Sequence, residues 1–306
     1  MLSILHAENG RIQPTNDIVE GVWINLTNPS EAELKIVEET VDVDPSFLRA
    51  ALDEEETSRV ETEGNEALII IDVPSVETET QVTYSTIPLG IIVTETNIIT
   101  VCLKETSVIR EFEDGLVRGV DPSLKTRFIF TVLLKIATRF LQYLRQIDKM
   151  SNYVERQLYK SQRNKELIQL LALEKSLLFF STSLKANEGT LEKIMRGRVI
   201  KLYDEDQDLL EDVLIEVRQA IEMANIYTSI LSGTMDAYAS VISNNLNVIM
   251  KTLTSITILF TIPNIIFGFY GMNVSGLPFP NPWFPILIAL ICIGVTWFIL
   301  KKKDLF

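Results

Sequence analysis

The sequence predicts an α+β cytoplasmic domain followed by a long helical stalk and two C-terminal transmembrane helices. Three observations lead to this fold class. β-Branched segments alternate with capped helical segments at first, apolar residues then recur at heptad-like spacing, and two charge-free apolar runs lie near the C-terminus. We divide the chain into an α/β domain (1–125), an antiparallel helical hairpin (126–203), a stalk helix that continues into the first span (204–270), an outer loop (271–282), a second span (283–300) and a basic tail (301–306).

Three strand-like segments and two helical segments define the α/β domain. The strands are expected in "EGVWINLTN" (20–28), "NEALIIIDVPS" (65–75) and "QVTYSTIPLGIIVTETNIITVCLK" (81–104), which are rich in β-branched residues and bounded by turn residues. The segments "PSEAELKIVEETV" (29–41) and "DPSFLRAALDEEE" (44–56) begin with residues that cap helices. This mixture predicts an α/β domain.

Helical periodicity dominates from Pro122 onward. Apolar residues recur three and four positions apart in two runs that are separated by the polar segment "KSQRNKE" (160–166), so we expect two antiparallel helices. These are Leu133, Ala137, Phe140, Leu144, Ile147, Val154 and Leu158, then Leu170, Leu173, Leu177, Phe180 and Leu184. A third stripe begins near Val213 and predicts a stalk helix that runs into the first span. Gly233 is a weak point in that helix.

Two apolar runs without a charge predict a transmembrane hairpin. The segments "LTSITILFTIPNIIFGFY" (253–270) and "WFPILIALICIGVTWFIL" (283–300) would each extend about 27 Å as helices, close to the ~30 Å of a hydrocarbon layer. The alternative is a buried helical hairpin in a soluble core. Length and absence of charge favour the membrane, and Trp283 and Trp297 fit the aromatic belt at its surfaces.

The basic residues predict the orientation of the hairpin. Lys251 precedes the first span, three lysines (301–303) follow the second, and the loop 271–282 carries no charge. Because positively charged residues flank spans on the cytoplasmic side, we expect both termini in the cytoplasm and the loop outside the cell membrane. The large N-terminal body then faces the cytosol.

Charge and motif content exclude other classes. The formal net charge is −13, and residues 1–246 hold 24 basic and 40 acidic side chains. Such a body repels nucleic acid and attracts cations, so we expect no nucleic-acid partner. A single histidine, two distant cysteines and the absence of GxGxxG, Walker, HExxH and GxSxG motifs leave no basis for an enzyme or a bound cofactor.

The first span carries a stripe of small and polar residues. Steps of three and four positions connect Asn247, Met250, Thr254, Thr257, Thr261, Asn264 and Gly268. Such residues also pack membrane helices together, which is the alternative explanation. The number of polar residues favours a water-lined pore, and because one helix cannot enclose a pore, several copies must form a ring.

Together these features resemble the CorA family of divalent metal channels. The resemblance covers essentially the whole chain and is carried by "NNLNVIMKTLTSI" (244–256), "IPNIIFGFYGMNV" (262–274) and the "KKK" end. It implies a homopentameric funnel in the lipid bilayer that conducts hydrated Mg²⁺, with Co²⁺ and Ni²⁺ as further candidates. The selectivity site would be Gly271, Met272 and Asn273, with Mg²⁺ both transported and regulatory.

The resemblance also implies roles along the pore and in the cytosol. Asn247, Met250 and Leu253 fall where relatives constrict the inner pore, and Asp236 falls near its cytoplasmic mouth. Thr254, Thr257, Thr261 and Asn264 lie on the pore-lining stripe. Asp212 resembles the stalk carboxylate that shares a regulatory Mg²⁺ with a neighbouring subunit, whose partner carboxylate is Asp72, Glu77 or Glu79. All four acids could instead be solvated surface residues.

Some residues depart from the family pattern. The outer loop lacks the acidic residue that many relatives carry, Phe267 replaces a small residue, and Asn264 stands where threonine is frequent. Two other functions stay open: a zinc or other divalent-metal transporter of the same superfamily, against which Met272 argues, and a membrane-tethered scaffold.

Overall fold

The computed structural model describes residues 1–8, 10–77, 83–161, 164–197, 199–273, 276–279 and 281–303. They form two compact units, 1–233 and 234–306. The strands are β1 (Leu2–Glu8), β2 (Arg11–Thr15), β3 (Trp23–Thr27), β4 (Arg59–Glu63), β5 (Glu66–Glu77), β6 (Thr83–Val93) and β7 (Ile98–Cys102). The helices are α1 (Glu31–Val41), α2 (Pro45–Ala50), α3 (Ser107–Glu113), α4 (Lys125–Ser161), α5 (Asn164–Met195), α6 (Asp204–Tyr270) and α7 (Trp283–Lys302).

A seven-stranded sheet organises the first unit, with strand order β2-β1-β3-β7-β6-β5-β4. Only β3 and β7 pair in parallel, and the other neighbouring strands are antiparallel. The central strands are buried on both faces, as the residues of β7 show, because helices cover the sheet. The sheet is therefore the middle layer of the unit.

One face of the sheet packs against α1 and α2. Their apolar residues, among them Leu34, Val37 and Phe47, join the inward side chains of β3, β5 and β7 in one buried cluster. Helix α1 starts with a capping box: Ser30 Oγ accepts from the Glu33 N–H, and Glu33 accepts from the Ser30 N–H. The predicted caps of both segments, Ser30 and Asp44, are thus found at their helix starts.

The long helices α4 and α5 cover the opposite face, where they contact β5 and β6. Aromatic rings hold this layer together: Phe140 meets Phe180 edge-on at 5.0 Å between centroids, and Phe180 meets Tyr84 at 6.1 Å. All twelve residues named for the two predicted heptad runs are buried. The predicted antiparallel hairpin is confirmed.

The first part of α6 lies antiparallel to α5 within the first unit. Arg218 forms ion pairs with Glu188 and Glu192 at 2.6 and 2.9 Å, and further along the same pair of helices Ser232 Oγ donates to Glu174 at 2.6 Å. Gly233, the predicted weak point of the stalk, is the last residue of the first unit. Helix α6 continues through this boundary without a break.

Among the described residues, three helices are long and apolar enough to cross a membrane: Asn164–Met195, Glu205–Tyr270 and Trp283–Lys302. The first is α5, which packs on β5 and β6 through buried apolar residues such as Leu170, Leu177 and Leu184. The other two contain the predicted spans. Around α7, Trp283 is 74% exposed and Lys301 Nζ lies 5.0 Å from the Trp297 ring centroid, which suits anchors at the two membrane surfaces.

The side chain of Asn187 ties α5 to β5. Its Nδ2 donates to the Asp72 carbonyl at 2.9 Å, while its Oδ1 accepts from the Asp72 N–H at 2.9 Å and from Ser58 Oγ at 2.6 Å. Asn187 is only 2% exposed, so water cannot readily replace it. The contact satisfies backbone groups of β5 that the sheet alone leaves unpaired.

Replacing Asn187 by alanine should destabilise the first unit. The Asp72 carbonyl and the half-buried Ser58 hydroxyl each lose a hydrogen-bond partner, which costs about 2–4 kcal/mol and lowers the thermal midpoint of the detergent-solubilised protein by about 5–10 °C. The matched control is Asn152→Ala on α4, whose amide bonds only exposed Asp148 and should matter little. Equal midpoints for the two variants would contradict the role of Asn187.

Candidate functional site

The predicted selectivity residues follow directly after α6. The Gly271 N–H donates to the Phe267 carbonyl at 2.8 Å, and the Met272 N–H donates to the Phe269 carbonyl at 3.4 Å, so the helix tightens as it ends. A Cβ on Gly271 would lie 3.1 Å from the Phe267 oxygen, closer than a side chain sits comfortably. Met272 and Asn273 are both exposed in the single chain.

Tyr270 holds the outer loop against the helix end. Its hydroxyl donates to the Pro278 carbonyl at 3.2 Å, and its ring meets Phe284 edge-on at 6.3 Å. Phe279, which has a positive φ of 49°, stacks on the same Phe284 at 4.7 Å. This aromatic cluster fixes both ends of the segment that contains Gly271, Met272 and Asn273.

The predicted pore stripe lies on the part of α6 in the second unit. All seven members, Asn247, Met250, Thr254, Thr257, Thr261, Asn264 and Gly268, are exposed in the single chain, and so is the predicted gate residue Leu253. The Thr257 and Thr261 hydroxyls donate to the carbonyls of Leu253 and Thr257, each at 2.8 Å. Their protons are thus used within the helix, and oxygen lone pairs remain on the exposed face.

A proline interrupts the hydrogen bonds of this helix. Pro263 lies inside α6 and has no N–H, so the Leu259 carbonyl lacks its helical partner. Such a carbonyl is tolerated at membrane depth where water or protein satisfies it. Pro263 is one residue before Asn264, so the unpaired carbonyl and the amide lie within about one turn of each other along the axis.

The candidate regulatory acids have different surroundings. Asp212 on α6 and Asp236 further along it are exposed, and neither forms an ion pair with a described residue. Glu77 ends β5, has a side chain 54% exposed and lies 3.6 Å from Lys104 Nζ. Glu79 lies outside the described residues.

Asp72 is bound into the fold. Its backbone is held by Asn187 and Ser58, and burial raises the pKa of its carboxyl group above the ordinary 3.8, against a smaller opposing effect of the nearby Ser183 and Ser58 hydroxyls. Within the described part of the chain, no three His, Cys, Asp or Glu residues form a group that could hold a metal. Of the three partners considered for Asp212, Glu77 is therefore the described one whose carboxylate lies at the surface, beside Lys104.

Comparison with known proteins decides the family. The family model described as "CorA-like Mg2+ transporter protein" matches residues 20–303. The chain belongs to the CorA family. Its match extends from the sheet through both predicted spans and includes the motif after α6, so the CorA assignment applies to the whole arrangement described above.

Two curated CorA proteins and one solved structure illustrate the similarity. The chain is 27% identical over 295 residues to the cobalt/magnesium transport protein CorA of Methanocaldococcus jannaschii, covering 92% of this chain and 90% of that protein. It is 21% identical over 301 residues to that of Thermotoga maritima, covering 95% and 86%. The complete CorA magnesium transporter structure from M. jannaschii superposes with a TM-score of 0.84 at 25% identity, covering 99% and 98%.

More distant structures share the fold alone. The cytoplasmic domain of ZntB from Vibrio parahaemolyticus has a TM-score of 0.64 at 10% identity and covers 79% of this chain and 98% of its own. An identity this low does not support zinc as an ion transported by this chain. The predicted fold class, an α+β domain with a long helix and a C-terminal helix, is confirmed by the CorA structures.

Sequence reasoning missed two features of the site. The first is the unpaired Leu259 carbonyl, which the sequence could have indicated, because a proline inside a predicted span always removes one helical hydrogen bond. The Tyr270–Pro278 hydrogen bond had no such signal, since it depends on the path of the loop. The sequence indicated this contact only through the aromatic residues on the two sides of the loop, Tyr270 and Phe284.

Asp72 gives a pH prediction. Its raised pKa means that the folded state holds the proton more tightly, so stability is lost as the pH rises through that pKa. Asp72→Asn keeps the shape without the charge and should raise the thermal midpoint at pH 7, with the difference shrinking as the pH falls toward 3.8. Glu222→Gln, on the exposed stalk, controls for removing one surface charge.

The opposite result is informative about a cation at this position. An Asp72→Asn protein less stable than the parent at pH 7 would show that the charged carboxylate is required there, as a bound cation would demand. The measurement is then repeated with and without Mg²⁺. If Asp72 has only a structural role, Mg²⁺ changes the thermal midpoints of the variant and the parent equally. If Asp72 is a Mg²⁺ ligand, the two proteins respond differently.

Proposed function

We propose that this CorA-family chain forms a homopentameric channel in the cell membrane for passive influx of hydrated Mg²⁺, with Co²⁺ as a second ion. The observation that carries the proposal is the position of Gly271, Met272 and Asn273, at the end of a continuous helix whose span is uncharged and striped with polar residues. The names of the two curated relatives, cobalt/magnesium transport proteins, support the choice of ions.

Exposed apolar residues support assembly. On α5 Leu178 is 61% exposed, and on the part of α6 in the first unit Ile215, Ile226 and Ile230 are 60%, 52% and 57% exposed. Large apolar side chains along neighbouring helices favour burial against another subunit. A ring of copies would also place the polar stripe of each α6 around a common axis, which one chain cannot do.

A neutral outer site suits a hydrated ion. Mg²⁺ gives up its water reluctantly, so a site that admits it rapidly binds the water shell rather than the bare ion. A ring of Asn273 amides offers oxygen acceptors for those waters with no net charge, so binding stays weak enough for release. The crowding around Gly271 and the Tyr270–Pro278 bond would keep these amides in place.

The inner end would carry the gate. Met250 and Leu253 are apolar and could close a constriction by excluding water, beside the polar Asn247. Intracellular Mg²⁺ shared by Asp212 of one subunit and Glu77 of the next would offset repulsion between acidic faces and hold the ring closed. Loss of that ion at low internal Mg²⁺ would release the subunits.

Flux measurements test the channel. Proteoliposomes containing the purified protein should take up Mg²⁺ down its gradient, and Asn273→Ala should reduce the rate at least about tenfold, equivalent to about 1.4 kcal/mol. An inert cation that mimics hexahydrated Mg²⁺ should block the parent. The matched control is Asn281→Ala, because Asn281 is an exposed asparagine of the same loop.

Three results would count against this proposal. Equal loss in Asn273→Ala and Asn281→Ala would point to a damaged loop rather than a selectivity site. Uptake of Zn²⁺ without Mg²⁺ would favour a zinc transporter of the same superfamily. No ion flux from a correctly assembled protein would favour a tethered scaffold.

Charge-neutral variants test the regulatory pair. Asp212→Asn or Glu77→Gln should raise the internal Mg²⁺ concentration that half-inhibits flux by about fivefold or more, the range of ordinary coupling energies. If the two carboxylates share one ion, the double variant should shift inhibition no further than either single variant. Glu222→Gln on the same stalk should leave inhibition unchanged.

The candidates for the partner can be separated in the same assay. Asp72→Asn should leave inhibition unchanged because its carboxyl group is largely buried beneath α5. Additive effects of Asp212→Asn and Glu77→Gln would show that they do not share an ion, and Glu79→Gln would then be the variant to combine with Asp212→Asn.

A further inference from the structure

Lys104 reaches two acidic side chains of the first unit from a position two residues beyond β7. Its Nζ lies 3.3 Å from a carboxylate oxygen of Glu54 and 3.6 Å from a carboxylate oxygen of Glu77. Glu54 belongs to the segment that follows α2, and Glu77 is the last residue of β5. Three segments that are far apart in sequence therefore meet around one ammonium group.

The group formed by Lys104, Glu54 and Glu77 keeps an excess of negative charge, because one ammonium faces two carboxylates. Glu54 also belongs to the acidic segment "DEEE" (53–56), which adds to that excess. An excess of negative charge at the surface attracts cations from solution. The group can therefore recruit a second cation even while the lysine is in place.

The contacts of Lys104 are easily exchanged. The side chains of Lys104, Glu54 and Glu77 are 47%, 58% and 54% exposed, so all three remain in contact with water. Ion pairs at this exposure are weak, and the ammonium can leave one acid at little cost in free energy. Glu54 is the nearer of the two acids, so Lys104 keeps a partner when Glu77 takes another cation.

Glu77 is also the proposed partner of Asp212 for the regulatory Mg²⁺, and the present inference rests on that proposal. Among the described candidate acids, Glu77 is the one that pairs with a basic side chain of its own chain. Mg²⁺ binds carboxylate oxygens, which are the atoms that the ammonium approaches. Two cations beside one carboxylate also repel each other, so Mg²⁺ and Lys104 compete for Glu77.

We propose that Lys104 is a built-in competitor of the regulatory Mg²⁺. The ammonium holds Glu77 when internal Mg²⁺ is low, and it withdraws to Glu54 when Mg²⁺ binds. Because the competitor is attached to the same chain, it is present at a fixed effective concentration beside every copy of the site. Lys104 thereby raises the Mg²⁺ concentration at which the ring closes.

Protection from proteolysis tests this role without measuring ion flux. The full-length protein in detergent is digested with chymotrypsin at increasing Mg²⁺ concentrations, because an ion shared between subunits covers their facing surfaces and slows cleavage. Lys104→Gln should lower the Mg²⁺ concentration that gives half-maximal protection by about two- to fivefold, the range for an exposed ion pair. Lys104→Arg keeps the positive charge and should match the parent. The control is Lys35→Gln on α1, an exposed lysine paired with Glu39, which should change nothing.

A double variant locates the effect at Glu77. Glu77→Gln should raise the Mg²⁺ concentration needed for protection, and adding Lys104→Gln to it should cause no further change, because the contested carboxylate is gone. Protection unchanged by Lys104→Gln, or shifted equally by Lys35→Gln, would overturn the competition while leaving Glu77 as a ligand. An effect of Lys104→Gln that persists beside Glu77→Gln would overturn it as well. If Glu77→Gln responds to Mg²⁺ as the parent does, the shared-ion proposal itself is wrong, and the role of Lys104 is wrong with it.

Discussion

A polar group inside hydrocarbon needs a partner, and this constraint determines what α6 can do. The span solves it partly within the helix, where Thr257 and Thr261 donate to carbonyls one turn back. Pro263 deprives the Leu259 carbonyl of its usual helical donor, and the side-chain amide of Asn264 has no hydrogen bond to a described residue. One face of α6 therefore requires water or another polar chain, and a water-filled ring of α6 helices meets that requirement along its whole length.

Burial distinguishes the candidate regulatory acids of the first unit. Asp72 and Glu77 lie on the same strand, and their odd separation of five positions directs the two side chains to opposite faces of the sheet. Asp72 sits beneath α5, where its carboxyl group is largely buried and Asn187 and Ser58 hold its backbone. Glu77 has reached the strand end, where only Lys104 approaches it. A carboxylate used by the fold has little capacity for an ion, whereas one at the surface keeps it.

The sequence predicted the elements whose residues are buried in a regular pattern. The hairpin and stalk were readable because one side chain in three or four faces the core. β2 and β4 were missed because they are the two edges of the sheet and read "RIQPT" and "RVETE", with the polar side chains that protect edges. At the site, the sequence predicted the motif residues Gly271, Met272 and Asn273. It did not predict the Tyr270–Pro278 hydrogen bond, because only the folded loop brings these two residues together.

The two ends of the proposed pathway differ in charge, and this difference bears on regulation. Residues 1–246 carry 40 acidic against 24 basic side chains, whereas the loop 271–282 has no ionisable side chain at all. On the proposed orientation, cations collect at the inner end, where Asp212 and Glu77 are exposed, and not at the outer one. A neutral filter of Asn273 amides then discriminates by hydration, while occupancy of the inner acids follows the internal Mg²⁺ concentration. Separating the two tasks in this way lets the outer site bind weakly, as conduction requires, while the inner site binds tightly enough to regulate.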